Sequence, residues 1–279
     1  MFRKISAKDS IFQDTKERYI NLFKNFKTFS ALETKIGGKA KNSKSNRAGS
    51  YANYLIKMII FYQEKYPFEY STFSNYIDYR KLKSVNSGEE FNQYNKMENR
   101  FPSAALATFE RYINFLQNKI NEDIINYNLD QTEDNLNDSP FIIKEDTASY
   151  SMKRKKQITY NGLSMYPRNI NESILAKKRA NWTCEYNKKH YTFYSKSDGN
   201  FYVESHHLIP MSYQNLFENT IDFADNIVSL CPNCHRKIHL ADNEVKKKMI
   251  LYFYEKRKEL YIDSGITIDT NSLLNMYDI

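Results

Sequence analysis

The residues of this 279-residue chain that could do chemistry are gathered in one stretch. All three cysteines (Cys184, Cys231 and Cys234) and all five histidines (His190, His206, His207, His235 and His239) lie between positions 184 and 239. Such crowding argues for metal. Cys231-Pro-Asn-Cys234 has the separation that lets two thiolates bind one zinc ion. A helix opening at Pro232 would carry His235 and His239, four apart, on one face. Cys234 and His235 are neighbours and point about 100° apart around such a helix, so one ion cannot easily take both. The pattern calls for two sites back to back, one with sulfur ligands and one with imidazoles.

The elements that must position these groups are short. Asn200-Phe-Tyr-Val-Glu-Ser-His-His-Leu-Ile-Pro210 reads as a strand running into a loop. Asn226-Ile-Val-Ser-Leu230 reads as a second strand leading straight into the cysteine knuckle. Strand, loop, strand and helix make a ββα unit with a metal at its centre. Adjacent residues on an extended chain point different ways. His206 and His207 are therefore sent to opposite faces of that strand.

The rest of the chain reads as mainly α. The first 35 residues are mostly helical, and apolar stripes run Tyr51, Tyr54, Leu55, Met58, Tyr62 and Leu106, Phe109, Ile113, Leu116, Ile120. Core packing is the preferred reading of both stripes. From Tyr127 to Pro140 the sequence turns acidic and Asn-rich, with little to bury. The expected organisation is a helical domain over 1–127 and an acidic linker over 128–150. A small α+β domain with flanking helices and the metal cluster then fills 151–279.

Charge follows the same division. Residues 1–50 hold 12 basic and 4 acidic side chains, 121–150 hold 1 and 8, and 151–200 hold 11 and 3. Two basic blocks flanking an acidic stretch suit a phosphate-bearing partner, although AT-rich coding would also enrich lysine. Lys41, Lys44 and Arg47, with the cluster Lys153, Arg154, Lys155 and Lys156, are the candidate DNA contacts. No uncharged apolar run approaches the roughly 18 residues of a membrane span, so no membrane role is expected. The N-terminus has no apolar signal region, and three cysteines cannot make a disulfide framework. A cytoplasmic address is the default expectation.

The run Glu204-Ser-His-His-Leu-Ile-Pro210, followed by Asp225-Asn-Ile-Val-Ser-Leu-Cys-Pro-Asn-Cys-His-Arg-Lys-Ile-His239, resembles HNH endonucleases of the ββα-metal type. It looks closest to their McrA-like restriction branch. The lead-in Ile174-Leu-Ala-Lys-Lys-Arg-Ala-Asn-Trp-Thr-Cys-Glu185 is similar to that branch too. The resemblance covers residues 166–240 and says little about 1–150. It implies that His206, His235 and His239 hold a catalytic ion and that His207 is the general base. Asn226 takes the position that orients that base in several members. Cys184, Cys231 and Cys234 match three ligands of a structural zinc. Asn187 stands where the family has a further cysteine, and a carboxamide is a poor zinc ligand. Either His190 completes the set or the site is degraded and held by packing.

The reaction implied is phosphodiester hydrolysis with 5′-phosphate and 3′-hydroxyl products. A neutral imidazole suits removal of a proton from water at cellular pH. One divalent cation (magnesium, manganese or a transition metal) suits stabilisation of the phosphorane and leaving oxygen. An Asn226 carboxamide or a backbone carbonyl is expected to fix the His207 tautomer. The function expected is a metal-dependent DNA endonuclease, either a type II or a modification-dependent restriction enzyme. It would act on double-stranded DNA as a homodimer, because one site addresses one strand. The alternatives are a mobile-element or homing nuclease on the same core, or a zinc-dependent nucleic-acid-binding module without catalysis. A pure zinc module has no need of His206, His207, Asn226 and His239.

Overall fold

A computed structural model describes residues 2–37, 47–131, 142–143, 145, 152–160, 163–196 and 199–279. The chain divides into two compact units, residues 1–117 and 118–279. It is mainly helical, with small two-stranded sheets confined to the second unit. Among the described residues no helix is long and apolar enough to cross a membrane.

The first unit is built from α1 (Ser10–Arg18), α2 (Ile20–Ile36), α3 (Arg47–Lys65), α4 (Tyr76–Val85), α5 (Gly88–Met97) and the beginning of α6 (Phe101–Gln131). Pro102 sits in the first turn of α6, where its missing N–H costs nothing. Asn75 caps α4 by accepting from the Asp78 amide. The turn from α5 to α6 needs left-handed backbone at Asn99 and Arg100. Both apolar stripes are spent in packing. Leu55, Met58, Ile59 and Tyr62 of α3 are buried, as are Leu106, Phe109 and Ile113 of α6. Phe26 of α2 is fully buried and meets Phe109 edge-on, centroids 5.5 Å apart. Tyr51, Tyr54 and Leu116 of the same stripes are half-buried. Lys41 and Lys44 lie outside the described residues, and Arg47 opens α3. α6 runs on to Gln131, through the place where a linker beginning at 128 was expected.

The second unit holds β1 (Ile142–Ile143), β2 (Ile158–Tyr160), β3 (Leu163–Met165), β4 (Arg168–Asn169) and α7 (Ile170–Arg179). Then come β5 (Glu204–His207), β6 (Ile227–Leu230), α8 (Pro232–Leu240), α9 (Asn243–Asp263) and α10 (Thr270–Met276). β5 and β6 pair antiparallel with His206 opposite Val228 and His207 opposite Ile227. Cys231 follows β6 directly and is the N-cap of α8, whose first residue is Pro232. This is the strand–loop–strand–helix order that the spacing implies. α9 buries Met249, Ile250, Phe253 and Tyr261 beneath the unit.

The edge-on Phe26–Phe109 pair gives a stability prediction. Phe26→Ala should lower the stability of the helical unit by about 3–5 kcal/mol, since the ring has no room to be replaced by water. Urea titration of the intact protein measures it, and a loss below about 1 kcal/mol would mean that the two rings are not the keystone of that core.

Candidate active site

Two clusters of metal-ligating side chains form, and each draws on separate pieces of chain. Cys184, His190, Cys231 and Cys234 place one ligand atom each within 4.8 Å of one another, and so do His206, His235 and His239.

The sulfur cluster is assembled around β6. After α7, left-handed backbone at Asn181 and Trp182 reverses the chain. The segment that follows joins β6: the Glu185 amide donates to Ser229 O, and Ser229 Oγ donates to Thr183 O. That pairing delivers Cys184 to the Cys231–Cys234 knuckle. His190 Nδ1 lies 3.3 Å from Cys234 Sγ and 3.6 Å from Cys231 Sγ. Ligands of one tetrahedral zinc stand roughly 3.6 Å apart for a sulfur–nitrogen pair, so His190 fits as the fourth ligand. Asn187 is not turned to the cluster. Its Oδ1 accepts from the Lys189 amide and its carbonyl from the His190 amide, which makes the tight turn that brings His190 in. A hydrogen bond from Cys234 holds the Cys184 thiol below its ordinary range. The same contact, followed by burial, pushes Cys234 up, and burial raises Cys231. Three close sulfurs cannot all ionise unless positive charge sits between them.

The imidazole cluster has its tautomers set by neighbours. His206 Nε2 is 2.9 Å from the Tyr277 hydroxyl, which itself donates to Leu208 O at 2.9 Å. The hydroxyl has one proton and spends it on the carbonyl, so His206 Nε2–H is the donor and Nδ1 is left bare. That Nδ1 lies 3.1 Å from His239 Nε2. His235 Nδ1 donates to Glu204 Oε2 at 2.8 Å, leaving a buried Nε2 with no hydrogen-bond partner among the described residues. Three imidazoles whose ring nitrogens converge within 4.8 Å, backed by a carboxylate and a hydroxyl, are what a cation on imidazoles requires. Burial, then the imidazoles of His239, His235 and His207, hold His206 well below the ordinary histidine pKa, so this ring is neutral. Burial works against the Glu204 carboxylate, but its hydrogen bond from His235 prevails and the pKa falls.

His207 faces the other way along β5. Its Nε2 donates to Asp222 Oδ1 at 2.8 Å, and its buried Nδ1 has no partner among the described residues. Asp222 is held in turn by the Asn169 amide at the start of α7, at 2.6 Å. The group that sets the His207 tautomer is thus a carboxylate. Asn226 does not touch the ring. Its carboxamide is fully buried and saturated: Oδ1 accepts from the Ile209 amide and Tyr261 Oη, while Nδ2 donates to Ile209 O and Ile221 O. The Asn226 carbonyl also accepts from the Leu208 amide. Asn226 therefore grips the two residues after His207 and orients it through the backbone. A cavity of about 140 Å³ is lined by His206, His207, His239, Tyr277, Lys119 and Lys246, so both faces of the strand end open into one space.

The expected basic cluster has other engagements. Lys153 pairs with Glu218, Lys155 with Glu145, and the Arg154 guanidinium donates to the carbonyls of Asn215 and Phe217. Lys156 is exposed. Three residues of the site escaped sequence reasoning: Glu204, Asp222 and Tyr277. Glu204 stood two before His206, on the same strand face, and that spacing was a usable signal. Asp222 and Tyr277 lie 15 and 71 residues from their partners, with no periodicity to mark them.

The family model for HNH endonuclease matches residues 195–240. This segment is an HNH domain. It carries His206, His207, Asn226, Cys231, Cys234, His235 and His239, while Cys184, His190 and Tyr277 come from outside the matched span. Over 69 residues the chain is 44% identical to the type IV methyl-directed restriction enzyme EcoKMcrA of Escherichia coli (strain K12). That alignment covers 25% of this chain and 23% of the relative, so the HNH region is McrA-like and the likeness goes no further along either protein. No solved structure matches the chain.

The saturation of Asn226 makes a testable point about the HNH domain. Asn226→Ala strands the Ile209 and Ile221 backbone groups in the core and should cost on the order of 3 kcal/mol. Asn226→Asp should be at least as damaging, because an oxygen then faces two carbonyl oxygens. Thermal melting that ranks Asp well above Ala, close to the unaltered protein, would mean the carboxamide does not brace this loop.

Proposed function

We propose that the protein is a metal-dependent DNA endonuclease of restriction type. The observation that carries this reading is the meeting, beside one cavity, of a three-imidazole cluster and a separate histidine backed by Asp222. A zinc-binding module without catalysis has no use for the second arrangement.

In this reading His206, His235 and His239 hold one divalent cation, which supplies positive charge against the phosphorane and the leaving oxygen. His207 accepts a proton from water at Nδ1. The Asp222 carboxylate keeps the ring in the tautomer that leaves Nδ1 free and steadies the imidazolium that forms, as in other Asp–His pairs. Asn226 positions His207 by holding Leu208 and Ile209. Lys246, at the cavity wall, faces the phosphate, while Lys119 beside it pairs with Asp278 at 2.8 Å. Cys184, His190, Cys231 and Cys234 hold a structural zinc that ties the loop after α7 to β6 and α8. The helical unit selects the target, and Lys41, Lys44, Arg47 and Lys156 contact phosphates. A two-fold dimer would place one site on each antiparallel strand of the duplex. A mobile-element role on the same core has no observation in its favour here, whereas the likeness to a methyl-directed restriction enzyme favours modification-dependent restriction over an ordinary type II activity.

Two experiments test this. His207→Ala should reduce plasmid cleavage by about 10²–10⁴-fold while leaving calorimetric binding of manganese close to normal. Asp222→Asn should lower the rate in the same direction with a smaller effect on folding. Near-normal cleavage by His207→Ala removes the proposed base. Parallel digests of methylated and unmethylated plasmid decide the restriction class.

The purified protein should also contain about one zinc per chain by elemental analysis. His190→Ala should lower zinc retention under mild chelation, and Cys234→Ser should abolish it together with the fold of the C-terminal unit. Active protein free of zinc would overturn the structural role, and full retention by His190→Ala would exclude His190 from the ligand set.

A further inference from the structure

Between the two metal clusters the chain makes a short two-stranded ribbon that neither cluster uses. Tyr194 pairs with Phe201 in an antiparallel bridge, the Tyr202 amide donates to Phe193 O at 2.8 Å, and the Ser195 amide donates to Asn200 O at 2.7 Å. Its aromatic rings stack across the ribbon: Phe193 on Tyr202 at 4.9 Å and Tyr194 on Phe201 at 4.6 Å. Little else covers them. Tyr191 is 80% exposed, Phe193 64% and Tyr194 68%. Lone apolar residues at a surface need no explanation, but three large rings within four residues do.

The ribbon is anchored at both ends. It begins after His190 of the sulfur cluster. It ends at Tyr202, whose hydroxyl donates to Glu204 Oε1, and Glu204 holds His235 of the imidazole cluster. Tyr202 is four residues before His206, so the two lie within about 14 Å of one another even if the chain is fully extended. That distance is about four base-pair steps of a duplex. The flanking sequence is basic as well. Residues 186–203 contain Lys188, Lys189 and Lys196 against one acidic side chain, Asp198. All three lysines are exposed, and none has an ion-pair partner among the described residues.

We propose that the ribbon formed by residues 191–196 and 199–202 is a DNA-contacting wedge. Tyr191, Phe193 and Tyr194 press into base steps beside the scissile phosphate and unstack them, while Lys188, Lys189 and Lys196 bind the neighbouring phosphates. Apolar and aromatic wedges distort duplexes in this way, and stacking on a base is tolerant of its sequence. A protein partner would be an alternative occupant for exposed rings. Three exposed lysines against a single acid over residues 186–203, and the closeness of Tyr202 to His206, favour DNA. The proposal rests on the nuclease reading.

The test uses the full chain without added magnesium and short duplexes spanning a mapped cleavage site, with 2-aminopurine placed at successive positions. With unaltered protein, 2-aminopurine within about four steps of the cut should brighten as it unstacks. Tyr191→Ala combined with Tyr194→Ala should abolish that signal and weaken binding about ten-fold, with an unchanged dependence on salt. Lys188→Gln, Lys189→Gln and Lys196→Gln together should instead flatten the salt dependence by up to about three units of slope. Melting curves and zinc content check that both variants fold. If the unaltered protein cuts and binds DNA but neither variant changes binding or the fluorescence, the ribbon has no such role. If the unaltered protein neither binds nor cuts DNA, the nuclease reading falls and the wedge with it.

Discussion

A β-strand turns successive side chains to opposite faces, and at His206 and His207 that alternation separates two kinds of chemistry. One imidazole is sent toward α8, where His235 and His239 wait one turn apart. The other is sent toward the Asp222 loop. The division survives only if the strand cannot slip, because a shift of one residue would exchange the two rings. The register is held by pairing with β6 and by Asn226, whose side chain and carbonyl clamp the two residues that leave the strand. Cys231 then starts α8 immediately after β6, so the same register also sets the position of the sulfur knuckle.

A second feature is the way each imidazole is oriented by a partner from a distant part of the chain. Glu204 comes from the strand, Asp222 from the long connection between the strands, and Tyr277 from just after the final helix. A buried imidazole with one nitrogen hydrogen-bonded has its tautomer decided, and the other nitrogen is left with a lone pair. Such atoms are costly in a closed core unless something meets them. Their convergence is the physical argument for a cation at one point and for a proton acceptor at the other. The sulfur cluster makes the same argument through charge, since ionising one thiol, Cys184, goes with keeping Cys231 and Cys234 protonated, and only a cation lets all three ionise together.

Residue type and spacing alone determined a good deal here. The cysteine knuckle, the histidines four apart on a helix and the adjacent pair on a strand specify a ββα metal unit, because helix and strand periodicities convert spacing into direction. The apolar stripes specify helices in the first unit for the same reason. Tertiary structure alone decided what depends on contacts between remote segments. His190 joins the sulfur cluster because the Asn187 turn and the pairing of residues 183–185 with β6 bring it there. Asp222 rather than Asn226 meets the His207 ring, because the Asn226 amide is consumed by backbone groups that no linear pattern reveals. Arg154 turns from solvent to loop carbonyls, since a charge run in sequence does not say which members will find a partner. Local order follows from the period of the chain. Partner choice follows from which loops close upon one another, and only the fold contains that information.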